Sequence, residues 1–352
     1  MLILAINCGS TSTKIALFED RKERAVRSMA LTREELEQIR TFDDDVVLRR
    51  RSVQDFLDEQ NITAGDLACV VARGGVPGPV RSGAYVINRN LMDALKEYGE
   101  VNGGINHGNV SGVLANWLAE KAGIPAYIYD AVSVDELADL ARYSGIDGHP
   151  RYSRTHTLNT RAMAIEAAND LGKDYREMNI ITAHLGGGNS VNIYEHGILS
   201  DLVTSEEGGF SAERCGGLPG ELILELVKSE GFDKVSGYFH GKGGLVSYCG
   251  TNSAKDIEEN ADAGDAGAAK VLEAMAYQTA KCIGSMAPVV KGKVDLIVLT
   301  GGMLYSQRIA KGISDRVAYL APVVVKPGER EMDALVNGAY RVMTGQEKAH
   351  EM

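Results

Sequence analysis

Apolar residues at the start of the chain form two short runs that flank a polar turn. The sequence MLILAI is followed by NCGSTSTK, which is mostly small and polar, and then by IALF, which is apolar again. Short apolar runs around a turn are typical of two buried strands. The turn offers amide, hydroxyl and ammonium groups, and Gly9 lets the backbone approach an anion closely. The segment, here called the first phosphate hairpin (residues 1–18), therefore predicts a phosphate site made by Asn7, Ser10, Ser12 and Lys14.

The same pattern returns about half a chain later, in a segment here called the second phosphate hairpin (residues 179–194). Three positions correspond at a constant offset: Gly9 to Gly187, Ser12 to Ser190, and Ile15 to Ile193. A duplicated fold would place one such hairpin in each half. A chance likeness between two glycine-rich hairpins is the alternative that the sequence leaves open.

Further apolar runs alternate with helical stretches. Residues 67–72 and 126–129 have the pattern of buried strands, as does a late run that ends in Gly301 and Gly302. Apolar positions 110, 113, 114, 117 and 118 repeat with helical spacing, which predicts that Trp117 belongs to the core. Residues 133–136 have the form of a capping box and predict the start of another helix. The alternation favours an α/β fold with helices on the faces of a sheet.

The length of 352 residues fits two lobes rather than one. Gly148, His149 and Pro150 interrupt the helical pattern, so we place the boundary near residue 150. This predicts an N-terminal lobe of residues 1–150 and a C-terminal lobe of residues 151–352. We expect the C-terminal helix to complete the first lobe.

Charge and composition exclude several classes of partner. The net charge of −11, without any run of lysine and arginine, disfavours a protein that binds nucleic acid. The five cysteines are scattered and never spaced as Cys-x-x-Cys, which disfavours a zinc site or a disulfide framework and favours a reducing cytoplasm. The longest apolar runs fall far short of the roughly 18 residues that span a bilayer, so we expect neither a membrane segment nor a leader.

Two arginines beside glycines are candidates to neutralise a phosphoryl group. Arg73 precedes a diglycine at the end of a predicted strand, and Arg214 lies in the sequence SAERCGG. Guanidinium groups bind phosphate and carboxylate in a bidentate way. Asp130 also follows a predicted strand, where α/β sheets place groups that face a ligand. The alternatives are two surface arginines and a carboxylate at a helix N-terminus.

Two histidines have a polar setting from which they could donate to a transferring phosphoryl group, namely His107 and His156. A structural role is the alternative for each of them. His184 directly precedes the glycines of the second phosphate hairpin and could shape that turn.

Two common nucleotide motifs are absent from the sequence. The segment GKGG at residues 241–244 lacks the Walker spacing, and no strand of any length precedes it. A Gly-x-Gly-x-x-Gly fingerprint after the first strand is also missing, which disfavours a dinucleotide fold.

These features together resemble the superfamily of acetate kinases, sugar kinases, actin and heat-shock ATPases. The start NCGSTSTK resembles the signature of the acetokinase family. Within that family, six further segments resemble butyrate kinases more than acetate kinases: DAVSVDEL at 130–137, HTLN at 156–159, HLGGG at 184–188, FSAERCGGLP at 210–219, GKGGLV at 241–246 and GTN at 250–252. The resemblance implies a duplicated actin-like (ribonuclease H-like) fold, with two lobes that each hold a mixed sheet flanked by helices, and a nucleotide cleft between the lobes.

The resemblance also implies roles for individual residues. Arg73, Asp130, His156 and Arg214 would be catalytic, and Asn7, Asp130 and Glu331 would hold Mg²⁺. ATP or ADP would contact the following residues: Asn7, Ser10, Ser12, Lys14, His107, His184, Gly186, Gly187, Gly188, Thr300, Gly301 and Gly302. Acetate kinases have asparagine where this chain has Gly187, so a backbone N–H would make that contact here. Thr155 stands where the family usually has a phenylalanine before the histidine that corresponds to His156.

The implied reaction is Mg-ATP-dependent phosphorylation of a short-chain fatty acid, with butyrate favoured, by direct transfer of the γ-phosphoryl group. A kinase for acetate, propionate or a branched acid is the near alternative. An ATP-driven conformational switch, similar to actin or a chaperone, is the alternative from another class. The resemblance further implies an acyl phosphate product, a dimer or larger assembly, and no nucleic-acid or membrane partner.

Overall fold

The computed structural model describes residues 1–101 and 104–352. These residues form two compact units. The first unit contains Met1–Asp135 and Arg330–Met352, and the second contains Glu136–Glu329. The chain therefore passes into the second unit after Asp135 rather than near residue 150, because Leu137 and Ala141 pack into the core of the second unit. The assignment of a function to each lobe and the expected cleft between them stay predictions.

The elements follow one another in chain order. The strands up to residue 135 are β1 (Leu2–Cys8), β2 (Ser12–Glu19), β3 (Lys22–Ala30), β4 (Cys69–Ala72), β5 (Ala84–Val86), β6 (Glu100–Val101), β7 (Gly104–Ile105) and β8 (Ala126–Tyr129). The helices in that range are α1 (Arg33–Gln38), α2 (Phe42–Glu59), α3 (Arg89–Glu97) and α4 (His107–Ala122). The strands of the second unit are β9 (Asn179–Leu185), β10 (Asn189–Glu195), β11 (Ile198–Val203), β12 (Leu296–Gly301) and β13 (Val323–Pro327). Its helices are α5 (Thr157–Asp170), α6 (Gly220–Glu230), α7 (Phe232–Phe239), α8 (Gly244–Cys249), α9 (Ala254–Asp262), α10 (Ala266–Met286) and α11 (Gln307–Val317). The chain returns to the first unit with α12 (Glu331–Met343).

The two main sheets repeat one topology. The first has the order β3-β2-β1-β4-β8-β5, and the second has the order β11-β10-β9-β12-β13. In each sheet an antiparallel hairpin is followed by a strand that pairs in parallel with its first strand. Five neighbouring strands of the first sheet, in the order β3-β2-β1-β4-β8, therefore correspond in order and direction to the five strands of the second sheet. A chance likeness of two hairpins would not repeat the rest of the sheet, so the duplication is real.

Apolar strands and amphipathic helices build a separate core in each unit. The residues Ile3–Ile6 of β1 and Leu296–Leu299 of β12 are fully buried, as continuous apolar runs predict. The apolar stripe of α4 packs against the first core, and Trp117 contacts that core from the side. The predicted helix at residues 133–136 is wrong, since the Ser133 hydroxyl donates to the Val76 carbonyl instead of capping a helix. Within residues 1–101 and 104–352, no helix has both the length and the apolar character to cross a membrane.

Candidate functional site

The turn of the first phosphate hairpin connects β1 to β2. Asn7 pairs with Lys14 across the two strands, and the Gly9 amide donates to the Ser12 carbonyl over 2.8 Å. Gly9 and Ser10 are exposed, whereas Ser12 and Lys14 are partly buried. The four polar residues predicted from the sequence thus lie in or beside one turn whose tip is exposed.

A cluster of three predicted residues lies beside this turn. Arg73 follows β4, which pairs in parallel with β1, so Arg73 and Asn7 lie at neighbouring strand ends. Glu331, the first residue of α12, accepts from the Asn7 amide over 2.7 Å and forms an ion pair with Arg73 over 2.9 Å. A guanidinium, a carboxylate and an amide therefore lie together within hydrogen-bond distance.

Asp130 follows β8 at the same edge of the first sheet. Its φ is +43°, a left-handed conformation that non-glycine residues adopt uncommonly. The side chain is only 3% exposed, and its carboxylate accepts from the Gly83 amide over 2.7 Å. No helix begins within residues 131–138, so the alternative of a carboxylate at a helix N-terminus is wrong. Strained backbone around a buried carboxylate is more typical of a functional site.

His107 is held by a buried carboxylate that the sequence did not single out. Its Nδ1 lies 2.7 Å from the carboxylate of Asp45, which is fully buried in α2. Nδ1 therefore donates to Asp45. A direct contact between His107 and a nucleotide stays a prediction.

Two histidines stack at the base of the second phosphate hairpin. The rings of His156 and His184 are 4.2 Å apart between centroids and 22° from parallel. The Asn159 amide donates to Nδ1 of His184 over 2.8 Å, so the proton of that ring lies on Nε2. Nε2 lies 3.6 Å from the Glu329 carboxylate, while Nδ1 of His156 lies 3.0 Å from the Ser190 hydroxyl. Both predicted histidines are thus positioned at one hairpin.

Arg214 lies against the same hairpin. A Cβ atom added to Gly188 would lie 3.0 Å from the guanidinium carbon of Arg214. The side chain is 35% exposed and is paired with Glu206 over 2.9 Å. The preceding Ser211 hydroxyl donates to the Gly187 carbonyl over 2.6 Å. Arg214 is therefore a component of the second phosphate hairpin rather than an unattached surface arginine.

The segment at residues 241–244 fixes the loop that carries Arg214. The amides of Gly241 and Gly243 both donate to the Glu213 carbonyl, and the Leu245 amide donates to the Ser211 carbonyl. Gly244 has a φ of +58°, and a Cβ atom there would lie 1.9 Å from the Ser211 carbonyl oxygen. These contacts give the segment a structural part in the loop. It is a backbone clamp on residues 211–214.

A cavity of about 690 Å³ lies next to the second phosphate hairpin. Gly186, Gly187 and Gly302 form part of its wall, together with Tyr305 and Lys255. This volume lies within the range of small-molecule sites. Thr300 is fully buried and its hydroxyl donates to the Gly328 carbonyl, and a contact between Thr300 and a nucleotide stays a prediction. Gly301 pairs with Gly328, and its contact with a nucleotide also stays a prediction.

The two cysteines near the hairpins are poor nucleophiles. Burial raises the pKa of the Cys8 thiol, and burial also raises the pKa of the Cys215 thiol. Both groups therefore stay protonated near neutral pH. A thiolate nucleophile is therefore not expected at either hairpin.

The sequence is closely similar to two enzymes of Clostridium acetobutylicum. It is 41% identical over 351 residues to butyrate kinase 2 and 40% identical over 353 residues to butyrate kinase 1. These matches cover 99% of this chain and 98% and 99% of the two relatives. The sequence model of the acetokinase family also matches residues 147–320. The chain belongs to the acetokinase family.

Solved structures of acetokinase homologues share the fold. The acetate kinase of Porphyromonas gingivalis matches with a TM-score of 0.78 at 20% identity, over 98% of this chain and 100% of that one. A propionate kinase of Francisella tularensis matches with a TM-score of 0.73 at 17% identity, over 96% of this chain and 98% of that one. The predicted actin-like fold is confirmed, and so is the prediction of a kinase rather than a conformational switch.

Four residues that contact the predicted groups, two in each unit, escaped the sequence reasoning. Asp45 and Arg49 lie in the highly charged first half of α2, a pattern that is typical of a solvated helix face. The one available signal was their spacing of four residues, which allows an ion pair on one side of a helix. Asn159 and Glu329 contact His184 from distant parts of the chain, and the sequence gave no signal for that approach.

Proposed function

We propose that this acetokinase transfers the γ-phosphoryl group of ATP to the carboxylate of butyrate and, in reverse, makes ATP from butanoyl phosphate. The observation that carries the reaction class is that each phosphate hairpin has an arginine beside it, Arg73 at the first and Arg214 at the second. The near-full-length similarity to two butyrate kinases supports the choice of acid.

The chemistry requires positioning and charge neutralisation rather than a strong base. A carboxylic acid is ionised at neutral pH and is already a nucleophile. The phosphoryl group passes through a loose transition state with charge on its equatorial oxygens. On this proposal Arg73 and Arg214 neutralise the carboxylate and those oxygens, and His156 donates to the transferring group. Adenosine occupies the cavity whose wall includes Gly302 and Tyr305.

We also assign Mg²⁺ to Asn7, Asp130 and Glu331. Their side chains supply amide and carboxylate oxygens, which are the ligands that this ion prefers. The described residues contain no cluster of three or more His, Cys, Asp and Glu that could hold a metal ion by itself. This fits an ion that takes its other ligands from phosphate and water. When bound, Mg²⁺ would neutralise phosphate charge.

Replacing Glu331 with glutamine tests the metal assignment. We expect the Mg²⁺ concentration for half-maximal activity to rise by a factor on the order of ten or more, because a carboxylate ligand is lost. Glu331→Gln also weakens the ion pair with Arg73. Asp333→Asn is the matched control for the loss of one negative charge at the start of α12. Asp333 is the other acidic residue in the first turn of α12. Equal Mg²⁺ dependence in Glu331→Gln and in the wild type would contradict the role of Glu331.

A hydroxylamine trap for acyl phosphate, run with ATP, Mg²⁺ and acids of two to six carbons, tests the substrate. One methylene in an apolar pocket is worth roughly 1 to 3 kcal/mol, so we expect the largest kcat/KM with the four-carbon acid and overlap with its neighbours. A clear maximum with acetate or propionate would replace butyrate by that acid. Persistent ATP hydrolysis without any trapped product would contradict the whole proposal.

We also propose an assembly and a location for this acetokinase. Leu224 and Phe232, on α6 and α7, are each 72% exposed, as expected for an apolar face that a second copy covers. We therefore propose a dimer or a larger assembly. Light scattering measures the mass in solution, and the mass of a single chain would contradict this proposal.

All five cysteines are free, which favours a reducing cytoplasm as the location of the protein. Recovery of the chain from a secreted fraction would contradict that location.

A further inference from the structure

We propose that Arg49 is the positioning residue of the first phosphate hairpin: it holds the carbonyl groups of the turn inward so that the amide groups face the phosphates of ATP. The proposal rests on the proposed function in that it takes ATP as the ligand. Arg49 lies in α2, it is fully buried, and neither the hairpin signature nor the mechanism above includes it.

The guanidinium of Arg49 lies directly beneath the turn. Its Nη1 donates to the Ser12 carbonyl over 2.6 Å and to the Thr13 hydroxyl over 2.7 Å. Its Nη2 donates to the Gly9 carbonyl over 2.7 Å and more weakly to the Ser10 carbonyl over 3.4 Å. One side chain therefore binds three of the four carbonyl groups between Gly9 and Ser12.

The remaining carbonyl of the turn is bound as well. The Leu31 amide donates to the Thr11 carbonyl over 2.8 Å. All four carbonyl oxygens from Gly9 to Ser12 thus accept hydrogen bonds from the protein. This matters because an exposed carbonyl oxygen would repel an anionic ligand.

Peptide geometry converts this arrangement into an anion site. In a trans peptide the C=O of one residue and the N–H of the next point in opposite directions. When the carbonyls of Gly9 and Ser10 point at Arg49, the amides of Ser10 and Thr11 point away from it. Amides that are fixed in this way form a concave site for phosphate and need no reorganisation when the ligand binds.

Arg49 is itself held by a buried pair. Its Nε donates to the Asp45 carboxylate over 2.5 Å, and both side chains have no exposed surface. The second oxygen of Asp45 accepts from His107. Buried ion pairs often add little net stability compared with apolar residues of the same size. A stabilising role alone is therefore a weak reason for the buried pair of Arg49 and Asp45, whereas alignment of the turn gives the pair a function.

The test compares binding of ATP with binding of adenosine by calorimetry. The variants are Arg49→Lys, Arg49→Met and the double variant Asp45→Leu with Arg49→Met, which removes the buried pair as a whole. Arg50→Met is the matched control, because Arg50 is next in α2 but contacts the ring of Trp117 instead. We expect all three Arg49 variants to bind ATP at least tenfold more weakly and adenosine within about threefold of the wild type. We expect Arg49→Lys to restore little of the ATP affinity, because a lysine ammonium lacks the planar, forked set of N–H groups that reaches several acceptors at once.

Each outcome decides the proposal. Unchanged ATP affinity in Arg49→Lys or in the double variant would overturn it. A parallel loss of adenosine and ATP affinity, or failure of all three variants to fold, would make Arg49 merely structural and would overturn it as well. Failure of the proposed function is distinguishable, because the wild type would then form no acyl phosphate while the binding comparison could still be made.

Discussion

Replacing Arg214 with alanine is expected to lower the turnover of acyl phosphate formation by a factor on the order of 10² to 10³, which is the usual effect of removing one donor to transition-state charge. The expectation rests on the proposed role of Arg214, whose guanidinium lies next to Gly188 and pairs with Glu206. We expect kcat to fall while the chain stays folded, because the side chain is partly exposed and leaves no large cavity. Steady-state kinetics with saturating ATP and butyrate measures the effect.

The matched control for this substitution is Arg316→Ala. Arg316 is also 35% exposed, and it forms a comparable ion pair with Glu273 on the surface of α10 and α11. Loss of this second arginine should leave turnover within about twofold, since surface ion pairs contribute little. Turnover of Arg214→Ala within about threefold of the wild type would contradict the role of Arg214.

The second large effect is expected from Gly244→Ala, and Gly250→Ala is its control. Both glycines have positive φ, +58° and +72°, so alanine costs roughly 1 to 2 kcal/mol of backbone strain at either position. A Cβ atom at Gly250 meets open space, whereas at Gly244 it meets the Ser211 carbonyl oxygen. Gly244→Ala should therefore lose about 1 to 3 kcal/mol more of the free energy of unfolding than Gly250→Ala.

Activity should separate the two glycine variants further. The clash at Gly244 displaces the loop that carries Arg214, so kcat should fall well beyond the effect of Gly250→Ala. Urea denaturation and steady-state kinetics on both variants measure this. Equal losses of stability and activity in the two variants would show that the clamp does not control the loop.

The sequence predicted the hairpins and their duplication because both depend on local patterns. Apolar runs around small-residue turns specify the strands, and the repeat spacing specifies two sheets of one kind. The resemblance then located Asn7, Arg73 and Glu331, which the structure brings into one cluster although they are far apart in the chain. Their assignment as ligands of substrate and metal stays a prediction.

The rest could not be predicted because it depends on burial and long-range approach. Asp45 and Arg49 look like solvated charges until tertiary packing places α2 beneath the hairpin turn. The hydrogen bond from the Thr300 hydroxyl to the Gly328 carbonyl joins residues 28 positions apart, so no local pattern indicates it. The capping box at 133–136 is a real local signal that competes with a tertiary contact, and the contact of Ser133 with Val76 prevails.

The clamp at Gly244 also limits how the gene can vary. Every missense change of one nucleotide in a glycine codon introduces a side chain, and even the smallest, that of alanine, already overlaps the Ser211 carbonyl. No single missense step from this codon avoids the overlap. Natural variants of the chain should therefore keep glycine at this position even where the surrounding surface has diverged.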